Sequence, residues 1–402
     1  MSEVRKTGEI MLANNLSALT ILHELVLDAV NTFPEVFDSA GVPSKTEAFR
    51  KNYADILPGF EAHRLASPEA SEIAVHMVRK LQAYIIWDDG EITQPLHTAL
   101  SQPATALSLS SLAFSGEPGW QPSFVYQGER WQGEQLAELG SLLESRNVIS
   151  TAAGSALTWL SQQALCDGKI DLSARKIAVL GGGAEMAPTR LWLEAGADVL
   201  WLDTKPPPQD WQTQTALSGR IFWPTENVDL LTEPHAVLAT LQDFADGCPV
   251  DLALYAYAPG KAREIRLTAC MNALVDALPT ELVASVTMLV SPTTPTALNR
   301  QDLAATQARL ASRPKWEAGL ARLGLLGTGG GSVVIGDAAT TRTVVNIQGA
   351  SYQAAQYLGK ILMAQCWSTF GQLSAADPQP LRVSANTAAI TRTRSLDHPV
   401  FA

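Results

Sequence analysis

At 402 residues, with 46% hydrophobic and 17% charged residues, the chain has a globular composition that excludes intrinsic disorder. Its formal net charge of -11, without any basic run, disfavours nucleic acid and anionic membranes, which bind clustered Lys and Arg. The length suits one large domain and a smaller one.

The N-terminal MSEVRKTGEIMLANN lacks the apolar core of a signal peptide. No run of about 18 apolar residues follows, so a cytoplasmic location without a membrane span is expected. The first 165 residues read as mainly helical. Leu16, Leu19, Ile21, Leu22, Leu25, Val26 and Val30 recur at helical spacing. A second helix opens at Ser67-Pro68-Glu69, with a cap, a proline at the first position and an acid in the first turn. A third helical region covers Gln135–Leu165, broken near Arg146-Asn147.

Residues 166–402 have a different pattern. Short β-branched runs, KIAVLGG, DVLWLD, RIFWP, VDLALYAYA, SVTMLVSP and LRVSANTA, alternate with helices expected at Thr189–Ala195, Pro234–Phe244, Ile265–Ala277 and Ser351–Phe370. That alternation implies βαβ units and a parallel sheet. Residues 296–348 interrupt it with a charged helix (Arg300–Leu323), the cluster GTGGGS and a hairpin of SVVIG and RTVVNI around DAATT. An insertion of this kind is commonly a lid or a subunit contact.

In KIAVLGGGAEMAPTRLWLEAGADVLWLDT a strand ends in Gly181-Gly182-Gly183 and is expected to turn at once into a helix. Such a turn lets a pyrophosphate approach the backbone, and a helix N-terminus offers it N–H groups. Gly181 and Gly183 fit G-x-G-x-x-G, with Glu185 and Met186 following; Met186 stands at the third glycine position. Asp203, 22 residues after Gly181, ends the next strand beside Thr204, where a carboxylate accepts from an adenosine ribose. Asp203 also repels a 2′-phosphate, which favours NAD(H) over NADP(H), while Lys205 acts in the opposite direction.

With these motifs in this order, Lys176–Thr393 resembles the short-chain dehydrogenase/reductase superfamily, nearest in style to its enoyl-acyl-carrier-protein reductases. The resemblance implies a Rossmann-type doubly wound sheet. It also implies adenine contacts from Asp229 and Leu230, a cofactor-lining turn at Ala258, and a catalytic Ser291 after SVTMLV. Thr391 and Thr393 would lie at the nicotinamide end. A dimer or tetramer formed through the catalytic helix is implied as well.

That superfamily uses a tyrosine to move a proton at the substrate oxygen and a lysine to bind the nicotinamide ribose and lower the tyrosine pKa. Ordinary members set the two four residues apart, but four residues after Tyr352 stands Gln356. Lys360 follows Tyr352 by eight residues and Tyr357 by three. The candidates are therefore Tyr352 with Lys360, and Tyr357 in reserve; packing of both tyrosines between helices is the competing reading. Tyr257 and Lys261 match Y-x-x-x-K literally. They lie in a Pro-Gly turn, from which Tyr257 would line the substrate crevice.

The remaining features favour structural roles. Cys166, Cys248, Cys270 and Cys366 form no C-x-x-C pair, the histidines are dispersed, and no metal is expected. Trp87, Trp120 and Trp131 suit packing or an apolar cleft. WDDGE reads as a turn, and GTGGGS as a hinge without the lysine of a phosphate loop. His398 stays unassigned. The expected function is a nicotinamide-dependent oxidoreductase acting on a C=O or activated C=C bond of an apolar or acyl substrate. A non-redox enzyme (epimerase, lyase or dehydratase-like), an inactive nucleotide-binding protein and, more distantly, a methyltransferase are the alternatives.

Overall fold

The computed structural model describes residues 8–373 other than 147, 166, 259–261, 292–293, 324, 326–331 and 342–349. It opens with β1 (Glu9–Leu12), α1 (Ala18–Thr32), α2 (Pro34–Phe37), α3 (Thr46–Ala66), α4 (Ala70–Gln82), β2 (Ile85–Asp88), β3 (Thr93–Pro95) and α5 (Leu96–Leu100). Ser17 caps α1 by accepting from the Thr20 N–H at 3.1 Å. The helix then buries Leu19, Ile21, Leu22, Leu25, Val26 and Ala29 along one face. Strands β1, β2 and β3 form a small antiparallel sheet. The second expected helix is shorter than its sequence suggests: α4 begins at Ala70, and IIWD beyond it is β2.

Strand β4 (Leu109–Ala113) leaves this region, followed by a hairpin of β5 (Ser123–Tyr126) and β6 (Glu129–Gln132). Gln127 and Gly128, at φ 53° and 87°, make its two-residue turn. Helices α6 (Gln135–Ser145) and α7 (Thr151–Trp159) pack together, with the expected break between them.

The central element is a mixed, mostly parallel six-stranded sheet. Its strands β7 (Lys176–Leu180), β8 (Asp198–Leu202) and β9 (Arg220–Pro224) alternate with α8 (Thr189–Glu194) and a short 3-10 turn. Helix α9 (Pro234–Ala245), β10 (Val250–Leu254), α10 (Arg263–Ala277) and β11 (Val283–Met288) complete the βαβ units. The strand order is β11-β10-β7-β8-β9-β4; five strands run parallel, and β4 is an antiparallel edge on β9. Both faces are buried: Ala178, Leu180, Leu200 and Leu202 enter one core, and Ile177, Val179, Val199 and Trp201 the other.

The first of these cores also holds Leu22, Phe49, Phe60, Met77 and Leu81 from α1, α3 and α4. The expected boundary at residue 165 therefore does not separate two cores, and β4 crosses it to join the sheet.

Beyond β11, the insertion carries β12 (Ala297–Leu298), α11 (Arg300–Ala311), α12 (Lys315–Arg322), β13 (Ser332–Ile335) and β14 (Ala338–Thr341). The single helix expected at Arg300–Leu323 is two, divided at Ser312–Pro314 because proline cannot continue a helix. The hairpin turns at Gly336-Asp337, so Ala338–Thr341, expected in the turn, is its second strand; RTVVNI, residues 342–347, lies outside the described residues. This hairpin packs on α3, where the buried Thr340 hydroxyl donates to the Pro58 carbonyl at 2.8 Å. The last described element, α13 (Ala350–Leu373), packs against α1, α4 and α10.

Candidate functional site at the carboxyl ends of the parallel strands

The strand order reverses beside β7, whose neighbours are β8 on one side and β10 on the other. A crevice at such a switch point is where open α/β sheets bind ligands. Gly181 closes β7 at φ 89°, and its N–H donates to the Leu202 carbonyl at 2.8 Å. A Cβ on Gly181 would lie 2.5 Å from the Ala256 Cα, so the turns after β7 and β10 meet backbone to backbone. A Cβ on Gly182 would lie 2.5 Å from the Trp201 ring, which is held by an Nε1 bond to the Lys205 carbonyl at 2.7 Å. Protein packing alone therefore requires both glycines.

The helix does not follow the glycines at once. It begins at Thr189, behind Pro188, and has six residues. Two of the intervening N–H groups turn onto protein acceptors: Ala184 to the Gly181 carbonyl at 3.0 Å and Ala187 to the Ala184 carbonyl at 2.9 Å. Gly183 donates to Asp203 Oδ2 at 2.9 Å. Asp203 Oδ1 accepts from the Lys205 N–H at 3.2 Å and the Thr204 hydroxyl at 3.3 Å. Glu185 and Met186 lie within the same turn.

The adenosine-side residues come together. The Val228 N–H donates to the Asp203 carbonyl at 3.4 Å, which brings Asp229 and Leu230 beside Asp203. Asp229 accepts from the Leu231 N–H at 3.0 Å and forms an ion pair with Arg263, at the start of α10, at 2.6 Å. Leu230 is buried, and its carbonyl accepts from Cys270 Sγ at 3.3 Å. For a dinucleotide the fit is divided. The expected adenosine side has a carboxylate beside a loop, whereas in the glycine turn the N–H groups of Gly183, Ala184 and Ala187 are taken by protein acceptors.

The other side of the crevice carries the phenols. Tyr257, 52% exposed after β10, meets Tyr352 on the first turn of α13, with ring centroids 5.9 Å apart at 84°. Burial of its inner part, then Tyr352, then Glu264, push the Tyr257 hydroxyl up to about 12. One turn along α13, Gln356 Oε1 accepts from the Ser291 N–H at 2.6 Å, bringing the expected oxyanion residue to the expected helix. Ala258 lies partly buried beside Tyr257.

Two residues differ from expectation. Lys360, expected to hold a ribose, donates to the Thr294 carbonyl at 3.1 Å, the Pro295 carbonyl at 2.6 Å and the Thr296 hydroxyl at 2.6 Å. An ammonium has three protons, and all three are thereby engaged. Burial draws Lys360 down to about 8, against the opposing pull of Glu61. Tyr357 is fully buried, edge-on to Phe60, and donates to Glu61 Oε2 at 2.8 Å; Glu61 in turn pairs with Arg64 at 2.7 Å. Burial and the Glu61 carboxylate hold the Tyr357 hydroxyl well above its ordinary value, which removes it from acid–base work. Thr391, Thr393 and His398 lie outside the described residues.

Sequence reasoning missed Gln356, Arg263 and Trp201 as organisers of the crevice. Only Gln356 carried a signal, as the residue standing where a lysine belongs.

No protein-family model, curated protein or solved structure matches the chain. Among the described residues, no group of three or more His, Cys, Asp and Glu could hold a metal ion, and no helix is long and apolar enough to cross a membrane.

Proposed function

We propose that the chain is a Rossmann-type, NAD(P)(H)-dependent oxidoreductase of the cytoplasm, acting on a C=O or activated C=C bond of an apolar or acyl substrate, with NAD(H) preferred. The observation that carries it is the strand order β10-β7-β8. At the carboxyl ends of these strands lie the glycine turn, Asp203, the 228–230 loop and the paired phenols. Tyr352 is the proton-carrying group, with Tyr257 packed on its ring and Ser291 positioned by Gln356. A homodimer or tetramer belongs to this reading, with one side of α13 already packed on α1, α4 and α10 of its own chain.

A second reading is favoured by Lys360. With its three protons directed at residues 294–296, Lys360 is not available to hold a nicotinamide ribose beside Tyr352. A nucleotide-binding protein without hydride transfer, or a non-redox enzyme of the same fold, is consistent with that. Titration with NADH and NADPH, followed by tryptophan fluorescence, tests binding, and Tyr352→Phe separates the readings. An oxidoreductase loses turnover by about 10²–10⁴-fold in this variant while keeping its NADH affinity. Unchanged turnover would remove Tyr352 from the reaction, and absence of binding would overturn the proposal.

A further inference from the structure

The Asp203 carboxylate takes an N–H of the glycine turn that a phosphate would otherwise use. Its Oδ2 lies 2.9 Å from the Gly183 nitrogen, and its Oδ1 takes the N–H of Lys205 and the hydroxyl of Thr204. The neighbouring N–H groups of Gly181, Ala184 and Ala187 are bound to carbonyls of the turn and of β8. Among these four groups, Gly183 alone is paired to a side chain, one that rotation about a single bond would withdraw. Trp201 packs beneath Gly182 and Gly183 and keeps the turn from shifting inwards, so the side chain is the part free to move.

Resting on the nucleotide-binding function proposed above, we infer that Asp203 is a latch: it closes the glycine turn to phosphate and releases it only for a ligand that also offers a vicinal diol. Two anions cannot share the Gly183 N–H, because a carboxylate and a phosphate oxygen in contact repel and each needs the same donor. A ribose diol placed at the end of β8 supplies two hydroxyl donors. These replace the Gly183 N–H as the partner of the carboxylate, and the freed N–H then receives the diphosphate. The exchange gives both the carboxylate and the Gly183 N–H a new partner, which is what allows two arrangements of similar energy. No covalent bond changes.

The latch differs from a simple ribose contact in what it does to a ligand with no ribose. Titration calorimetry of the full-length chain with inorganic pyrophosphate, ADP, 2′-deoxy-ADP and NADH, for the wild type, Asp203→Asn and Asp203→Ser, tells them apart. The latch predicts that Asp203→Ser binds pyrophosphate at least about tenfold more tightly than the wild type, about 1.4 kcal/mol. Asp203→Asn, whose amide oxygen still accepts from Gly183, is expected in between. The wild type is expected to prefer ADP over 2′-deoxy-ADP, and Asp203→Ser to lose that preference. Equal gains in the two neutral variants would reduce the effect to charge and overturn the latch. So would unchanged pyrophosphate affinity with weaker ADP binding, which would leave Asp203 as a ribose contact and the proposed function standing. If the wild type binds neither NADH nor ADP, the proposed function falls, and the latch is decided by the pyrophosphate comparison alone. Should Asp203→Ser fail to fold, Asp203→Ala takes its place and must gain more affinity for pyrophosphate than Asp203→Asn, or the latch is wrong.

Discussion

Tyr352 and Tyr357, five residues apart on one helix, have opposite surroundings: one faces another phenol at the crevice, the other is sealed beneath α3. Tyr357→Phe should leave nucleotide affinity unchanged and lower stability by about 1–3 kcal/mol, because the buried Glu61 loses a donor. Chemical denaturation checks this, and an unaltered midpoint would mean that Glu61 finds another partner. Which tyrosine lay in the core was unreadable beforehand, since the deciding partner is 296 residues away in sequence. Lys360 offers a pH test. Its folded value of about 8 lies below the ordinary 10.5, so between these limits the unfolded chain holds more protons and stability rises with pH; below about 8 the burial penalty is present in full. The wild type should therefore gain on Lys360→Met as pH rises through that window in urea unfolding. A constant difference would show that Lys360 titrates alike in both states.

Elements buried on two faces were the most legible. KIAVL, DVLWL, RIFWP and VDLAL are near-continuous apolar runs, and β7 to β10 fall on them within a few residues. The β4 segment LSSLA has no such run and is a strand only because β9 offers an edge to pair with. Helix α3 was likewise hidden, with Pro58 inside it and the partners of its buried face supplied from afar. The insertion lays its hairpin on that helix. The Thr340 hydroxyl meets the Pro58 carbonyl there, so Thr340→Val should destabilise the chain by about 1 kcal/mol. Hydrogen exchange would place the loss in β13 and β14 if the contact is local, while uniform loss across the sheet would contradict that. In the candidate site, the glycine turn and Asp203 were readable as a motif. Their mutual hydrogen bond was not, because a spacing pattern does not say where an N–H points.

At the scale of the molecule, one core runs from the N-terminal helices through α13 to a face of the sheet. Residues 166–402 produced alone would expose the α13 surface covered by α1 and α4 and the free edge of β9, and aggregation is the expected outcome. A soluble product with a cooperative unfolding transition would show instead that the two parts fold independently. The place of β4 also bears on how the chain is made. It emerges from the ribosome before β5, β6, β7, β8 and β9, yet among the described residues its sheet partner is β9 alone. During synthesis it must wait unpaired while the interior strands appear, so the N-terminal region cannot finish folding by itself. The slow step of maturation is then the closing of this long loop, and a nascent chain stalled before Arg220 should be the form that chaperones hold.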